Sequence, residues 1–294
     1  MTPRPRPHLP VIRRVVPPGV IPVELWDLEL GHGELGHGIL WDHMGTEALP
    51  AALVQAIEHL RRGTAITRSR VPIPPRCREL TAVWLAGGHA VALDPSPLSA
   101  ALGLPVWRAD EPTAVAEHGA RALLPEAPAP AVIDLGQSRL KIFLSGERFV
   151  YERPWDRLAP LDPFAPGAPV IDPAAGRARL RAWVSEALAD ASARIRQLRQ
   201  LRRSRGPTDA VIIALPCALA DTPTPGSCSY PGLEGDSRFV ADVLATAGWT
   251  PRTVLVLNDA ELAAAAASLD PRCRDAVTLV LTLGFGAGGA LLLP

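Results

Sequence analysis

A chain of 294 residues with 48% hydrophobic and 20% charged content can bury one large core or two modest ones, which excludes a disordered or fibrous protein. Thirty Lys+Arg balance thirty Asp+Glu, so no global field draws in nucleic acid or an anionic membrane, and only local phosphate sites stay open. The apolar stretches 211–219 and 277–293 are too short or too glycine-rich for a bilayer span, Met1–Pro22 lacks a signal-peptide core, and Cys77, Cys217, Cys228 and Cys273 form no CxxC pair. The expectation is a cytoplasmic protein with reduced cysteines, no disulfide framework and no structural zinc.

In chain order, residues 1–20 are proline-rich and read as an extended, partly disordered arm. A first folded segment over 21–123 is predicted to carry strands at Val23–Leu28 and Ala82–Leu85 and helices at Glu47–Arg62, Leu98–Leu102 and Thr113–Leu124. Residues 124–130 alternate Pro with Ala and Glu, which stops a helix and gives a stiff linker. A second folded segment from Ala131 shows strands at 131–134, 140–145, 148–152, 209–215, 253–257 and 276–283. Its helices are expected at about 174–204, 237–248 and 259–268. In the arginine-rich helix, Leu180, Trp183, Val184, Leu188, Ile195 and Leu198 recur at helical spacing, so its arginines form a solvated face rather than a nucleic-acid contact.

Four strings carry chemistry. Asp134-Leu135-Gly136-Gln137-Ser138-Arg139-Leu140-Lys141 is a hairpin with a carboxylate at a strand end and a glycine turn, suited to phosphate on its N–H groups and to hydrated Mg²⁺ on its carboxylate. By itself it is also what an ordinary β-hairpin looks like. Asn258-Asp259-Ala260 puts a carboxylate between a strand end and a helix N-terminus, where it serves either as a base or as a plain N-cap. Leu281 to Ala290, with Gly284, Gly286, Gly288 and Gly289, is strand, glycine turn and strand. Gly31-His32-Gly33-Glu34-Leu35-Gly36-His37-Gly38 sets a carboxylate and two imidazoles among glycines, able to bind polyhydroxyl groups or a metal.

Together these strings resemble the ROK sugar kinases of the actin, hexokinase and Hsp70-like ATPase superfamily, over nearly the whole chain but in rotated order. The hairpin at Asp134 is similar to the first phosphate motif, Ile212 through Gly232 to the stretch that shapes the sugar cleft, Asn258-Asp259 to the catalytic segment and Gly284–Gly289 to the second phosphate motif. The sugar loop at Glu34 and His37, the adenosine-flanking Gly87-Gly88 and the closing helix at 113–124 stand at the front instead of the back.

The resemblance implies an α/β, two-lobed ribonuclease H-like fold, circularly permuted. Residues 21–123 with the hairpin 276–294 would form one lobe and 131–275 the other, and the strand ending at Leu293 should lie beside the one near Val23–Leu28. It implies ATP-dependent phosphorylation of a hexose or amino sugar, with Asp259 as general base. Glu34, His37 and Asn258 would hold the sugar, and Asp134 would position Mg²⁺. Gly136, Ser138, Lys141, Gly284, Gly286, Gly87 and Gly88 would hold ATP. The partners implied are the sugar and ATP, with room for a homodimer and without nucleic acid, membrane or the family's zinc.

The chain departs from the family pattern at Gln137, where a second glycine is usual, at Phe285, which replaces the threonine of Gly-Thr-Gly, and at Glu261, where asparagine is frequent. These departures open the alternative of a catalytically weakened sugar- or nucleotide-binding module. A repressor is disfavoured because no helix-turn-helix precedes the core, and a filament-forming relative is disfavoured by the sugar-type loop.

Overall fold

A computed structural model describes residues 10–23, 25, 28–29, 48–67, 73–127, 130–158, 172–202, 209–226, 230, 232–284 and 287–294. It is an α/β protein with two mixed sheets. The first is built from β7 (Ala131–Leu135), β8 (Arg139–Leu144), β9 (Glu147–Glu152), β10 (Ala210–Leu215) and β11 (Thr253–Asn258), with α4 (Pro173–Arg202) and α5 (Phe239–Thr246) between the later strands. Its order is β1-β11-β10-β7-β8-β9, where the added edge strand β1 (Val11–Arg14) runs parallel to β11. The antiparallel members are β8 and β9, and β10 and β11 lie parallel to β7 or to each other.

The second sheet has the order β2-β13-β12-β5-β6, from β2 (Val20–Val23), β5 (Ala82–Ala86), β6 (Val106–Arg108), β12 (Thr278–Leu283) and β13 (Ala287–Leu292). Here β12 and β13 form the hairpin, β2 continues it antiparallel, and β5 and β6 follow in parallel. Strand for strand this matches β7, β8, β9, β10 and β11. In the second sheet, however, the chain is open between β13 and β2, with Leu293 N–H bonded to the Gly19 carbonyl at 2.8 Å. A two-residue pair, β3 (Leu28–Glu29) with β4 (Ile66–Thr67), stands apart.

Helices fall into matching places too. The outer face of the first sheet is covered by α4 and α5 through Leu180, Val184, Leu188, Phe239 and Val243. The outer face of the second is covered by α1 (Ala48–Arg62) and α2 (Pro95–Leu102) through Leu53, Ile57, Leu60 and Leu98. Each such fully buried aliphatic side chain contributes about 1.5–3 kcal/mol relative to exposure.

Two last helices are exchanged across the middle. The helix α6 (Asp259–Ala267) follows β11 yet lays Ala260, Ala263, Ala264 and Ala267 on Trp84, Val280 and Ala290 of the second sheet. The helix α3 (Val115–Leu123) follows β6 yet lays Ala116 and Ala120 on Val132, Ile212 and Leu257 of the first. Where the two cross, a Cβ on Gly119 would stand 2.1 Å from the Leu262 carbonyl oxygen, so only glycine permits this approach.

Two expectations are corrected and one strand was not anticipated. Val11–Arg14, expected within a partly disordered arm, is an ordered edge strand, because this proline-free run meets the free edge of β11. The strand expected at Val23–Leu28 instead ends at Val23 and begins at Val20. Pro22 is tolerated within it because β2 is an edge strand. Val106–Arg108 is a strand that its three-residue length kept below the level of a periodic signal.

In α4 the apolar stripe is buried as expected, and Arg181 is held by Asp236 at 2.6 Å and by Asp242 at 2.7 Å. Cys77, Cys217 and Cys273 are buried free thiols, while Cys228 lies outside the described residues. Among the described residues no helix is long and apolar enough to cross a membrane.

Candidate active site

The β7–β8 hairpin is held from behind. Asp134 and Lys141 are opposite each other in its register, and the Lys141 ammonium donates to Asp134 Oδ2 at 2.9 Å with both side chains largely buried. Around the turn, the Tyr230 hydroxyl donates to the Gly136 carbonyl at 2.7 Å and Arg153 Nη1 donates to the Gln137 carbonyl at 2.8 Å. The Arg153 backbone N–H also donates to the Ser138 carbonyl at 2.9 Å, and its guanidinium stacks on the Tyr230 ring at 3.9 Å. Carbonyls of the turn are thus drawn toward the protein, which rigidifies Gly136, Gln137 and Ser138. Tyr230 belongs to the stretch expected to shape the sugar cleft, and its hydroxyl serves this hairpin.

At the end of β11, Asn258 caps α6. Its Oδ1 accepts from Ala260 N–H at 2.8 Å, and the Glu261 carboxylate accepts from Asn258 N–H at 2.8 Å, completing a capping box. Both amide hydrogens of Asn258 are committed as well, to the carbonyls of Leu215 at 3.3 Å and Cys217 at 2.9 Å, which tie the end of β10 to the end of β11. Toward a ligand this side chain offers the remaining lone pair of Oδ1. Glu261, 1% exposed, forms an ion pair with Arg14 from the arm, whose Nε also donates to the Ala220 carbonyl at 3.2 Å.

Asp259 sits at the first position of α6, enclosed by the surrounding chain and touching solvent over part of its surface. Burial pushes its carboxyl from the ordinary 3.8 up to about 7, and the negative charges of Asp134 and, more weakly, Glu261 add to this. The Ala260 N–H, at 2.9 Å from Asp259 Oδ1, and the Lys141 ammonium oppose the rise. A carboxyl with a value near 7 can take up and release a proton near neutrality.

The β12–β13 hairpin closes the other side. A Cβ built on Gly288 would lie 3.2 Å from Asp259 Oδ1 and 2.3 Å from Thr282 Oγ1, so only glycine lets this strand pack so closely against Thr282 and the head of α6. Beside it, Gly87 at the end of β5 has φ +93 and would press a Cβ to 2.5 Å from the Leu283 carbonyl oxygen. Gly88 has nothing within 4 Å of its missing Cβ, and so borders open space next to Gly284.

The structure therefore brings Asp134, Lys141, Asn258 and Asp259 together, with Gly136 and Ser138 on the hairpin that bears Asp134. Gly87, Gly88 and Gly284 line up along the ends of neighbouring strands. Glu34, His37, Gly286 and Phe285 lie outside the described residues. Sequence reasoning missed the hairpin clamp of Tyr230 and Arg153, the Arg14–Glu261 pair, and the roles of Thr282 and Gly288. The last two sat in a string already singled out for its glycines, but their facing Asp259 depends on strand register. No family model, curated protein or solved structure matches the chain.

Proposed function

We propose that this chain is an ATP-dependent sugar kinase of the ROK type, acting in a cleft between two ribonuclease H-like lobes whose order in the chain is circularly permuted. One observation carries the reading. Asp134 from one hairpin, Asp259 at the head of α6 and Gly288 from the opposite hairpin converge, and the Asp259 carboxyl rises to about 7 as a result of burial and of Asp134. The repeated strand order of the two sheets, open between β13 and β2, is the pattern that a permuted duplicate of this kind requires.

In this reading Asp259 accepts the proton of the sugar hydroxyl as that oxygen forms a bond to the γ-phosphorus of ATP and the bond from that phosphorus to the bridging oxygen of ADP breaks. Lys141 and the N–H groups of the Gly136–Ser138 turn steady phosphate charge, while Gly87 and Gly88 leave room for adenosine. Glu34 and His37 would orient the sugar, with Asn258 fixing the segment that bears Asp259. The two facing carboxylates fit Mg²⁺, which takes one or two protein carboxylates and completes its shell with water and phosphate oxygens. Asp134 would hold it, and when bound the ion neutralises charge on the phosphates.

A second reading, a sugar- or nucleotide-binding module with weakened catalysis, is favoured by the Lys141–Asp134 pair, which already neutralises the first carboxylate. The test is a panel of hexoses and N-acylated amino sugars incubated with Mg-ATP, comparing ADP release by the native chain and by Asp259→Asn. Sugar-dependent release that drops by about a thousandfold in the variant supports the kinase. Binding detected by calorimetry with no sugar-dependent release from the native chain would instead select the binding module.

A further inference from the structure

Arg14, at the end of β1, commits every nitrogen of its guanidinium to the surrounding chain. Nη2 pairs with Glu261 Oε1, Nη1 donates to the Val15 carbonyl and Nε donates to the Ala220 carbonyl at 3.2 Å. With its side chain 5% exposed, Arg14 is not placed to touch a ligand itself. What it touches is the head of α6 on one side and the loop after β10 on the other. That loop is folded back on itself, since Leu219 and Pro225 form an antiparallel bridge and Gly226 N–H donates to the Ala218 carbonyl at 2.7 Å. Asn258, the neighbour of Asp259, holds the root of the loop through the Leu215 and Cys217 carbonyls, and Arg14 holds it further along, at Ala220. Glu261 in turn accepts from Asn258 N–H at 2.8 Å, so both tethers end on the segment that bears Asp259.

We infer that Arg14 is a positioning residue for the proposed phosphoryl transfer, fixing the loop 217–226 relative to Asp259 through its bonds to Ala220 and Glu261. The inference rests on the kinase reading and adds to it a residue from the arm. In that reading the loop borders the acceptor sugar, so its spacing from Asp259 sets how the sugar hydroxyl meets the base. A tether at the root alone leaves such a loop free to pivot, and the second one, at Ala220, fixes its direction. A planar guanidinium suits this task because its fork reaches a carboxylate and a carbonyl at once. The Arg14 bonds run to Val15, Ala220 and Glu261 and not to the two phosphate hairpins, so losing them should disturb the sugar side and spare the ATP side.

The test measures ADP release from Mg-ATP with the panel of hexoses and N-acylated amino sugars for the native chain, Arg14→Met and the double variant Arg14→Met with Glu261→Gln. Rates are normalised to the folded fraction found by urea denaturation. In Arg14→Met, kcat/KM for the sugar should fall about tenfold while KM for Mg-ATP stays within about twofold. The double variant strands no buried charge, so its stability should return toward the native value, yet it lacks the bond to Ala220 and should keep the same loss of kcat/KM. Should Arg14→Met fail to fold, the double variant carries the comparison. A double variant that regains both stability and native kcat/KM overturns the inference, because the pair then serves the fold alone. An equal disturbance of the sugar and ATP constants overturns it as well. No sugar-dependent release from the native chain overturns the kinase reading itself, a result distinct from a loss confined to the variants.

Discussion

A carboxylate at the first position of a helix ordinarily ionises readily, because the N-terminal dipole favours negative charge. Asp259 goes the other way, up to about 7, because burial and the neighbouring Asp134 outweigh the Ala260 N–H and the Lys141 ammonium. The folded chain therefore retains a proton between the ordinary value of 3.8 and about 7 that the unfolded chain has given up. Since the folded state binds the extra proton, this group's contribution to stability falls as pH rises through that window and is level above it. Asp259→Asn removes the titration while keeping an acceptor for Ala260 N–H. It should match the native chain near about pH 4 and exceed it by about 2 kcal/mol near about pH 8, discounted for partial solvent contact. Urea denaturation at the two pH values measures this, and a difference independent of pH would contradict it. Asp134 and Asp259 were legible in the sequence because a carboxylate at a strand end is a local signal.

At the scale of elements, β1 and α6 are joined by the Arg14–Glu261 pair, with side chains 5% and 1% exposed. Glu261 also closes the capping box of α6, so the arm, the helix N-terminus and the segment bearing Asp259 form one unit. The sequence marked Glu261 as a departure from the family pattern and the arm as proline-rich, two separate oddities. Their connection spans 247 positions in the chain and has no local signature. Removing one member of a buried pair leaves the other charge unpaired, so Arg14→Met should cost about 3 kcal/mol. The double variant Arg14→Met with Glu261→Gln should recover most of that loss, since no buried charge is then stranded. Equal stability of the native chain and Arg14→Met in urea would mean that the arm does not hold α6. The helices themselves were easier to read. Long apolar stripes as in α4 survive any context, whereas β1 and β6 exist only because a neighbouring strand offers its edge.

For the whole molecule, the proposed permutation rests on geometry that a rearranged chain can probe. The two sheets share one connection order, and the break in the second lies between β13 and β2, which remain paired through Gly289 and Val23 and through Leu292 and Val20. The residues 124–127 and 130 that join α3 to β7 are half-buried or exposed, while Leu293 and Gly19 are hydrogen-bonded at the break. On the proposed reading, covalent continuity is interchangeable between the two places. A chain that begins at Ala131, links Pro294 to Met1 through a short Gly-Ser segment and ends at Leu124 keeps β1, both sheets and the Arg14–Glu261 pair. It should fold to the same circular-dichroism spectrum with a melting temperature within about 5 °C of the native chain, because the change alters loop closure by little more than 1 kcal/mol. A second rearranged chain that joins Pro294 directly to Gly19 and discards residues 1–18 loses β1 and leaves Glu261 unpaired. It should be the less stable of the two by about 3 kcal/mol or more, the loss assigned to the pair alone. If both rearranged chains fail to fold while the native chain does, the second sheet is not an independent copy of the unit in the first, and the order of elements in the native chain is required for reasons other than the pairing of β13 with β2.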